Sequence, residues 1–153
     1  MSPRKNIDMD IKLSRETLIE VYRLMLLSRR LDEKQLIFLK QGKQFFHIGA
    51  PGHEAAQIAI AKAMKPGFDW AYPYYRDIAF NLGFGETPKG ILLEALHRAE
   101  GPGSGGRAMP CHWGNKKLRV PSQSSCTGTQ FLEAVGTAMG AVKEGTDEVV
   151  YVS

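Results

Sequence analysis

With 153 residues, 43% hydrophobic and 24% charged, the chain has the composition of an ordinary soluble globular protein with one core-forming domain, and nothing in it demands a second. A formal charge of +4 and a pI near 9.1 are mildly basic, yet lysines and arginines are spread along the chain among acids, which favours anionic small molecules or an acidic partner over nucleic acid. Two cysteines, Cys111 and Cys126, lack CxxC spacing and exclude a disulfide framework, and no apolar run approaches the roughly 20 residues that span a bilayer.

The start, MSPRKNIDMDIKLSRE, has no apolar core for secretion, and Asp8, Asp10 and Glu16 argue against a transit peptide. A reducing, cytoplasmic location is the expectation, with no membrane partner. Residues 1–13 read as an extended arm and 14–153 as one domain. Ser14 suits an N-cap, and Leu18, Val21, Tyr22, Met25, Leu26 and Leu36 recur at helical spacing, predicting a helix to about Gln41, where Gly42 ends it. Ser28, Arg29 and Arg30 with Asp32 and Glu33 read as its solvated face.

Phe45 to Gly52 reads as an irregular turn before a second helix, His53 to Met64. The small residues Ala55, Ala56, Ala59, Ala61 and Ala63 allow close approach of a neighbour, and Lys65-Pro66-Gly67 stops the helix. His47 and His53 are candidate ligands or acids; a hydrogen-bonded or capping role is favoured for each. Asp69 to Asp77, DWAYPYYRD, crowds large rings around one guanidinium. Arg76 flanked by tyrosines suits phosphate recognition, because guanidinium forms bidentate charge-assisted bonds; equally, the stretch can be an aromatic plug with Arg76 paired to Asp69 or Asp77.

A third helical segment is predicted from about Arg76 to Leu82 and a fourth from Thr87 to Glu100, with Pro88 at its first position. Gly101 to Gly106, GPGSGG, nominally satisfies GxGxxG, but it follows a helical pattern and precedes the Pro110 turn, the wrong context for a dinucleotide site. It reads as a flexible loop. Gly106 to Gln130 then brings Cys111 and His112, followed by Ser122, Ser124, Ser125, Thr127 and Thr129. A thiol hydrolase using Cys126 and His112 is one reading, with no nucleophile elbow or third orienting residue in support. Gln130 to Lys143 reads as a helix whose Ala134, Gly136, Ala138 and Gly140 offer a face for close packing. Gly145 to Asp147 turns the chain, and Glu148 to Ser153, EVVYVS, has the β-branched run of a buried parallel strand.

The order YYRD, GGRAMPCHWG, SQSSCTGTQ, AVGTAMGAVK and VVYVS resembles the alpha part of the thiamine-diphosphate-dependent 2-oxo acid dehydrogenases, the E1 components acting on pyruvate or branched-chain 2-oxo acids. The likeness runs from about Ser14 to Ser153. It implies an α/β fold: an N-terminal helical portion, then the beginning of a thiamine-diphosphate-binding parallel-sheet fold, incomplete at the C-terminus. By the same resemblance Tyr75 and Arg76 contact the cofactor, Arg76 at its diphosphate, and His112 is the active-site histidine. Ser125 and Thr127 belong to the loop on the aminopyrimidine side. Ser124, Thr129, Gln130 and the Cys126 carbonyl match a potassium site, an oxygen set suited to a hard cation. Thr127 stands where relatives often carry a larger apolar residue that props the cofactor.

The family's magnesium-binding motif, which begins Gly-acid-Gly, does not occur in the 153 residues. The resemblance therefore implies part of a 2-oxo acid dehydrogenase, inactive by itself, which depends on magnesium ligands outside this sequence. It would pair with an E1 beta subunit or region and pass acyl groups to a lipoyl-bearing E2 acyltransferase in an oligomer. A non-catalytic assembly module derived from an E1 alpha chain is the alternative.

Overall fold

A computed structural model describes residues 13–153. The first twelve positions of the expected arm lie outside the described residues. The elements run in the order α1 (Arg15–Lys40), α2 (Glu54–Ala63), β1 (Trp70–Tyr72), α3 (Ile78–Gly83), α4 (Pro88–Ala95), a 3-10 turn (Lys116–Leu118), α5 (Thr129–Glu144) and β2 (Val150–Val152). This mixed arrangement of helices and a small parallel sheet suits the expected helical start and strand end. No described helix is long and apolar enough to cross a membrane.

The boundaries of α1 follow its caps. Ser14 Oγ accepts the Thr17 N–H at 3.1 Å, and Gly42 leaves the far end at φ +68°. Its buried face differs from the one expected. Ser28, Leu31, Asp32 and Gln35, spaced i, i+3, i+4 and i+7, are buried, whereas Leu18, Tyr22, Leu26 and Leu36 are exposed. The supposed solvated face is therefore in part internal: Asp32 takes hydrogen bonds from the following loop, and Arg29 pairs with Glu54 at 2.6 Å. Burial pushes the Glu54 carboxyl up, but bonds from its own N–H, Arg29 and Gly52 outweigh this and hold it below the ordinary range.

Of the small residues in α2, Ala61 makes the expected close approach. A Cβ at Gly83 would sit 2.9 Å from Ala61 Cβ, which is why α2 and α3 can touch; Ala55, Ala56, Ala59 and Ala63 are exposed. Thr87 caps α4 through the Gly90 N–H, and Pro88 occupies the first turn. The helix ends at Ala95, not at Glu100. Gly101 to Gly106 folds back against it: Glu94 accepts the Gly103 N–H at 2.6 Å, and any Cβ at Gly106 would meet the His97 carbonyl oxygen at 2.5 Å.

The short strand β1 has no counterpart in the sequence expectations. It pairs in parallel with β2 in the register Trp70 with Val150, Ala71 with Tyr151 and Tyr72 with Val152. Asp69 begins this pairing by accepting the Lys65 N–H at 2.6 Å and the Val149 N–H at 2.9 Å. The predicted strand β2 is half-buried. Tyr151 stacks on Phe80 at 4.5 Å, and Phe80 on Phe84 at 5.2 Å, within a core that includes Ala61, Ala71, Ile78, Ile91, Trp113 and Val120. Burying each such large apolar side chain contributes about 1.5–3 kcal/mol.

Helix α5 lies against this sheet through buried Ala134 and Ala141, and Thr137 Oγ1 meets the Tyr72 hydroxyl at 2.5 Å. Gly136 and Gly140 do not provide the expected close-packing face: added Cβ atoms would meet nothing within 4 Å. Leu132, Val135, Met139 and Val142 form an exposed stripe beside them.

Candidate functional site

The site is built where the end of β1 meets the Met109–Gly114 turn and the loop before α5. Tyr74 is anchored by its backbone. Its N–H reaches Ser153 Oγ at 2.9 Å and Asp77 Oδ2 at 3.1 Å, and its carbonyl accepts the Trp113 indole N–H at 2.9 Å. Ser153 Oγ in turn donates to Asp77 Oδ2 at 2.5 Å. Burial raises the Asp77 carboxyl above its ordinary value despite the bonds from Ser153 and Tyr74.

This anchoring presents Tyr75 and Arg76. The Tyr74 hydroxyl donates to the Tyr75 hydroxyl, with ring centroids 3.7 Å apart. That bond lowers the Tyr75 phenol and raises the Tyr74 phenol relative to ordinary tyrosines. The Arg76 guanidinium sits 5.6 Å over the Tyr75 ring and donates through Nη1 to the Gly49 carbonyl at 2.6 Å. It pairs with neither Asp69 nor Asp77, so that part of the aromatic-plug reading fails, although Tyr72 is buried in the core and Tyr75 packs against it while also lining a cleft.

Opposite Tyr75, His112 lies with its ring centroid 6.5 Å away and nearly parallel. The preceding residue, Cys111, has φ +65°, a strained setting for a side chain with a Cβ. The His112 Nδ1 faces the Met109 and Pro110 carbonyls at 3.1 and 3.2 Å, so it must donate. Nε2 lies 2.7 Å from the Ser125 hydroxyl, whose O–H it accepts in the neutral ring. Cys111 is buried, and burial pushes its thiol up to about 12, with Asp32 and Glu94 adding in the same direction. Cys126 is exposed, and no bond joins it to His112, so the thiol-hydrolase reading finds no geometric support.

Tyr75, Arg76, His112 and Ser125 share one cleft of about 300 Å³, with Phe46, Ile48 and Met109 as its apolar rim. Four expected residues thus converge from three segments. Thr127 lies in an adjoining slot of about 10 Å³ with Tyr74, Ser124, Cys126 and Gln130, room for no more than a water molecule. Around that slot the Cys126 carbonyl accepts the Thr129 N–H at 3.3 Å and hydroxyl at 3.0 Å, and Ser124 Oγ accepts the Cys126 N–H at 3.2 Å. Gln130 lines the same slot and donates through Nε2 to the Ser153 carbonyl at 2.9 Å.

The groove beside Trp70, Lys116 and Arg119 is as large, about 310 Å³, but Arg119 is taken up by Glu148 and the Phe68 carbonyl, and no histidine or thiol lines it. The cleft with His112 brings a histidine and an exposed guanidinium together, which this groove does not. The sequence reading missed Asp77, Trp113 and Ser153 as supports of Tyr74. The signals available were a buried-type indole, which needs an acceptor, and an aspartate three residues after Tyr74. His47 has the hydrogen-bonded role expected, whereas His53 precedes α2 without a capping bond.

Residues 22–153 match the family model described as Dehydrogenase E1 component. The chain is 39% identical over 141 residues to the 2-oxoisovalerate dehydrogenase subunit alpha of Bacillus subtilis, covering 92% of this chain and 43% of that protein. It is 38% identical over 144 residues to the pyruvate dehydrogenase E1 component subunit alpha of Acholeplasma laidlawii, covering 94% and 39%. With the 3-methyl-2-oxobutanoate dehydrogenase subunit alpha of Mycobacterium tuberculosis the identity is 33% over 137 residues, covering 90% and 34%. The chain thus spans less than half the length of these relatives.

Proposed function

The chain belongs to the dehydrogenase E1 component family, and on that premise we propose that it supplies one wall of a thiamine-diphosphate site in a 2-oxo acid dehydrogenase. The reaction is oxidative decarboxylation of a 2-oxo acid with transfer of the acyl group to a lipoyl carrier on an E2 acyltransferase. The observation that carries this reading is the convergence of Tyr75, Arg76, His112 and Ser125 on one cleft.

The donor set fits the cofactor. An exposed guanidinium and a phenol with lowered affinity for its proton suit a diphosphate, which needs fixed positive charge and hydroxyl donors. When bound, thiamine diphosphate supplies the electron sink for the carbanion left by loss of carbon dioxide. Arg76 and Tyr75 bind and orient the anionic end. His112, fixed through Nδ1, offers Nε2 to the cleft as the group that holds or moves a proton, and Ser125 keeps that nitrogen aimed. Thr127 would line the aminopyrimidine side, and Ser124, Thr129, Gln130 and the Cys126 carbonyl would hold potassium.

The family's Gly-acid-Gly motif does not occur in these 153 residues, so the ligands for magnesium are assigned to sequence beyond them. We infer separately that catalysis takes assembly with an E1 beta subunit or region, and the exposed stripe of Leu132, Val135, Met139 and Val142 is the kind of surface such pairing buries. The same stripe favours the second reading, a non-catalytic assembly module.

Calorimetry with magnesium present, on the chain assembled with an E1 beta partner and with the segment that carries the magnesium ligands, separates the two. Arg76→Ala is expected to weaken thiamine diphosphate binding by about ten- to hundredfold. His112→Ala should leave binding nearly unchanged and lower turnover by about 10²–10⁴. Assembly that binds no cofactor would instead establish the module reading.

A further inference from the structure

Beneath the cleft, four buried polar side chains form a chain that ends on Arg76. Gln44 and Gln35 are 1% and 0% exposed, and the side chains of His47 and Asp32 are 3% and 8% exposed. Their orientations follow from one fixed point. The Gln44 amide donates through Nε2 to the Phe46 carbonyl at 2.5 Å, so its nitrogen also faces Gln35 Oε1 at 3.3 Å. That same Gln35 oxygen faces His47 Nδ1 at 3.3 Å, and Nδ1 must therefore donate. On the other side of the ring, Nε2 lies 3.0 Å from Asp32 Oδ1, which already accepts the Ala50 N–H at 3.3 Å. Asp32 Oδ1 is thus held between the His47 ring and the Ala50 N–H.

The Ala50 N–H belongs to the same peptide unit as the Gly49 carbonyl. Asp32 therefore holds one side of a planar group whose other side holds Arg76 Nη1 at 2.6 Å. We propose that Asp32 and His47 are positioning residues that set the Arg76 guanidinium through the Gly49–Ala50 peptide. The inference deepens the proposed function and rests on it only for what Arg76 binds. Rotating that peptide would swing the carbonyl off the guanidinium while leaving α1 and the Tyr74 anchors in place.

Nitrogen NMR on the 153-residue chain tests this directly. The Arg76 side chain should show hindered rotation about its Cζ–Nε bond. Asp32→Ala should speed that rotation about tenfold or more, the scale of losing a bond to a charged group. Asp32→Asn, which retains an oxygen for the Ala50 N–H, should restore most of the hindrance. Equal rotation in the unaltered chain and Asp32→Ala would refute the positioning role. Should Asp32→Ala not fold, His47→Gln replaces it, with unaltered Arg76 rotation again counting against the proposal. Faster rotation in Asp32→Ala, combined with normal thiamine diphosphate binding in Arg76→Ala, would support this inference while removing the proposed function.

Discussion

The two walls of the cleft are built on different physical terms. The Tyr74–Asp77 wall is tied down by contacts from distant parts of the chain: Trp113 and Ser153 on Tyr74, and Gly49 on Arg76. The Ser124–Thr129 wall has exposed side chains and holds itself mainly by bonds among its own residues, with Ser125 to His112 as a cross-link. A wall that presents fixed charge gains from rigidity, because preorganised donors need no reordering when an anion arrives. A loop with few buried contacts lies at the low-stability end of the molecule.

The sharpest way to break this contrast is to remove the central support. Trp113→Ala deletes a ring only 4% exposed together with the bond to Tyr74, and about 3–5 kcal/mol of stability should be lost, as read by urea unfolding. Thr127→Ala on the opposite wall should stay within about 0.5 kcal/mol. Comparable losses would mean that the walls are equally integral to the fold.

Thiol labelling offers a second comparison. Cys126 on the open loop should react readily with an aromatic disulfide reagent, whereas Cys111, buried beneath His112 and with its thiol pushed up to about 12, should react more than about 100-fold slower until the chain unfolds. Similar rates would show that the His112 turn opens as easily as the loop.

The smallest effect concerns pH. Because burial raises Asp77 in the folded chain, the folded form keeps a proton that the unfolded form has released, over the window from the ordinary aspartate value of about 3.9 to the raised one. Stability contributed through Asp77 is therefore present below that window and lost as pH rises through it. Glu54 acts in the opposite sense: its carboxyl is lowered, so its contribution is present above the ordinary glutamate value and lost as pH falls through the lowered one. Denaturation midpoints across pH 3 to 7, compared between the unaltered chain and Asp77→Asn, should show the downward trend removed in the variant. An unchanged profile would dissociate Asp77 from the rigid wall's acid–base balance.

The sequence made some features legible and hid others for identifiable reasons. The Ser14 cap and the Thr87-Pro88 start of α4 were visible because helix ends are satisfied by atoms within a few residues. The apolar stripe of α1 gave the helix and misled about its face, because Asp32 and Gln35 are drawn inward by His47 and the Ala50 N–H. Strand β1 is too short to show a period, and its parallel partner lies about eighty positions away. At the site, the residue types at Tyr75, Arg76, His112 and Ser125 were readable from separated motifs, but the bond from Ser125 that aims Nε2 was not.

What the sequence determined by itself was therefore local: helix positions, their caps, the β-branched end strand, and the ordered motifs that place the chain in its family. What only the tertiary structure decided was partnership: which face of α1 is internal, which carbonyl receives Arg76, and which backbone groups hold Tyr74. The division has a physical cause. Backbone hydrogen bonds and side-chain periodicity act over three or four residues and leave a pattern in the letters. A buried polar group instead takes whichever partner the packed chain brings within about 3 Å, and that partner can be twenty to eighty residues away.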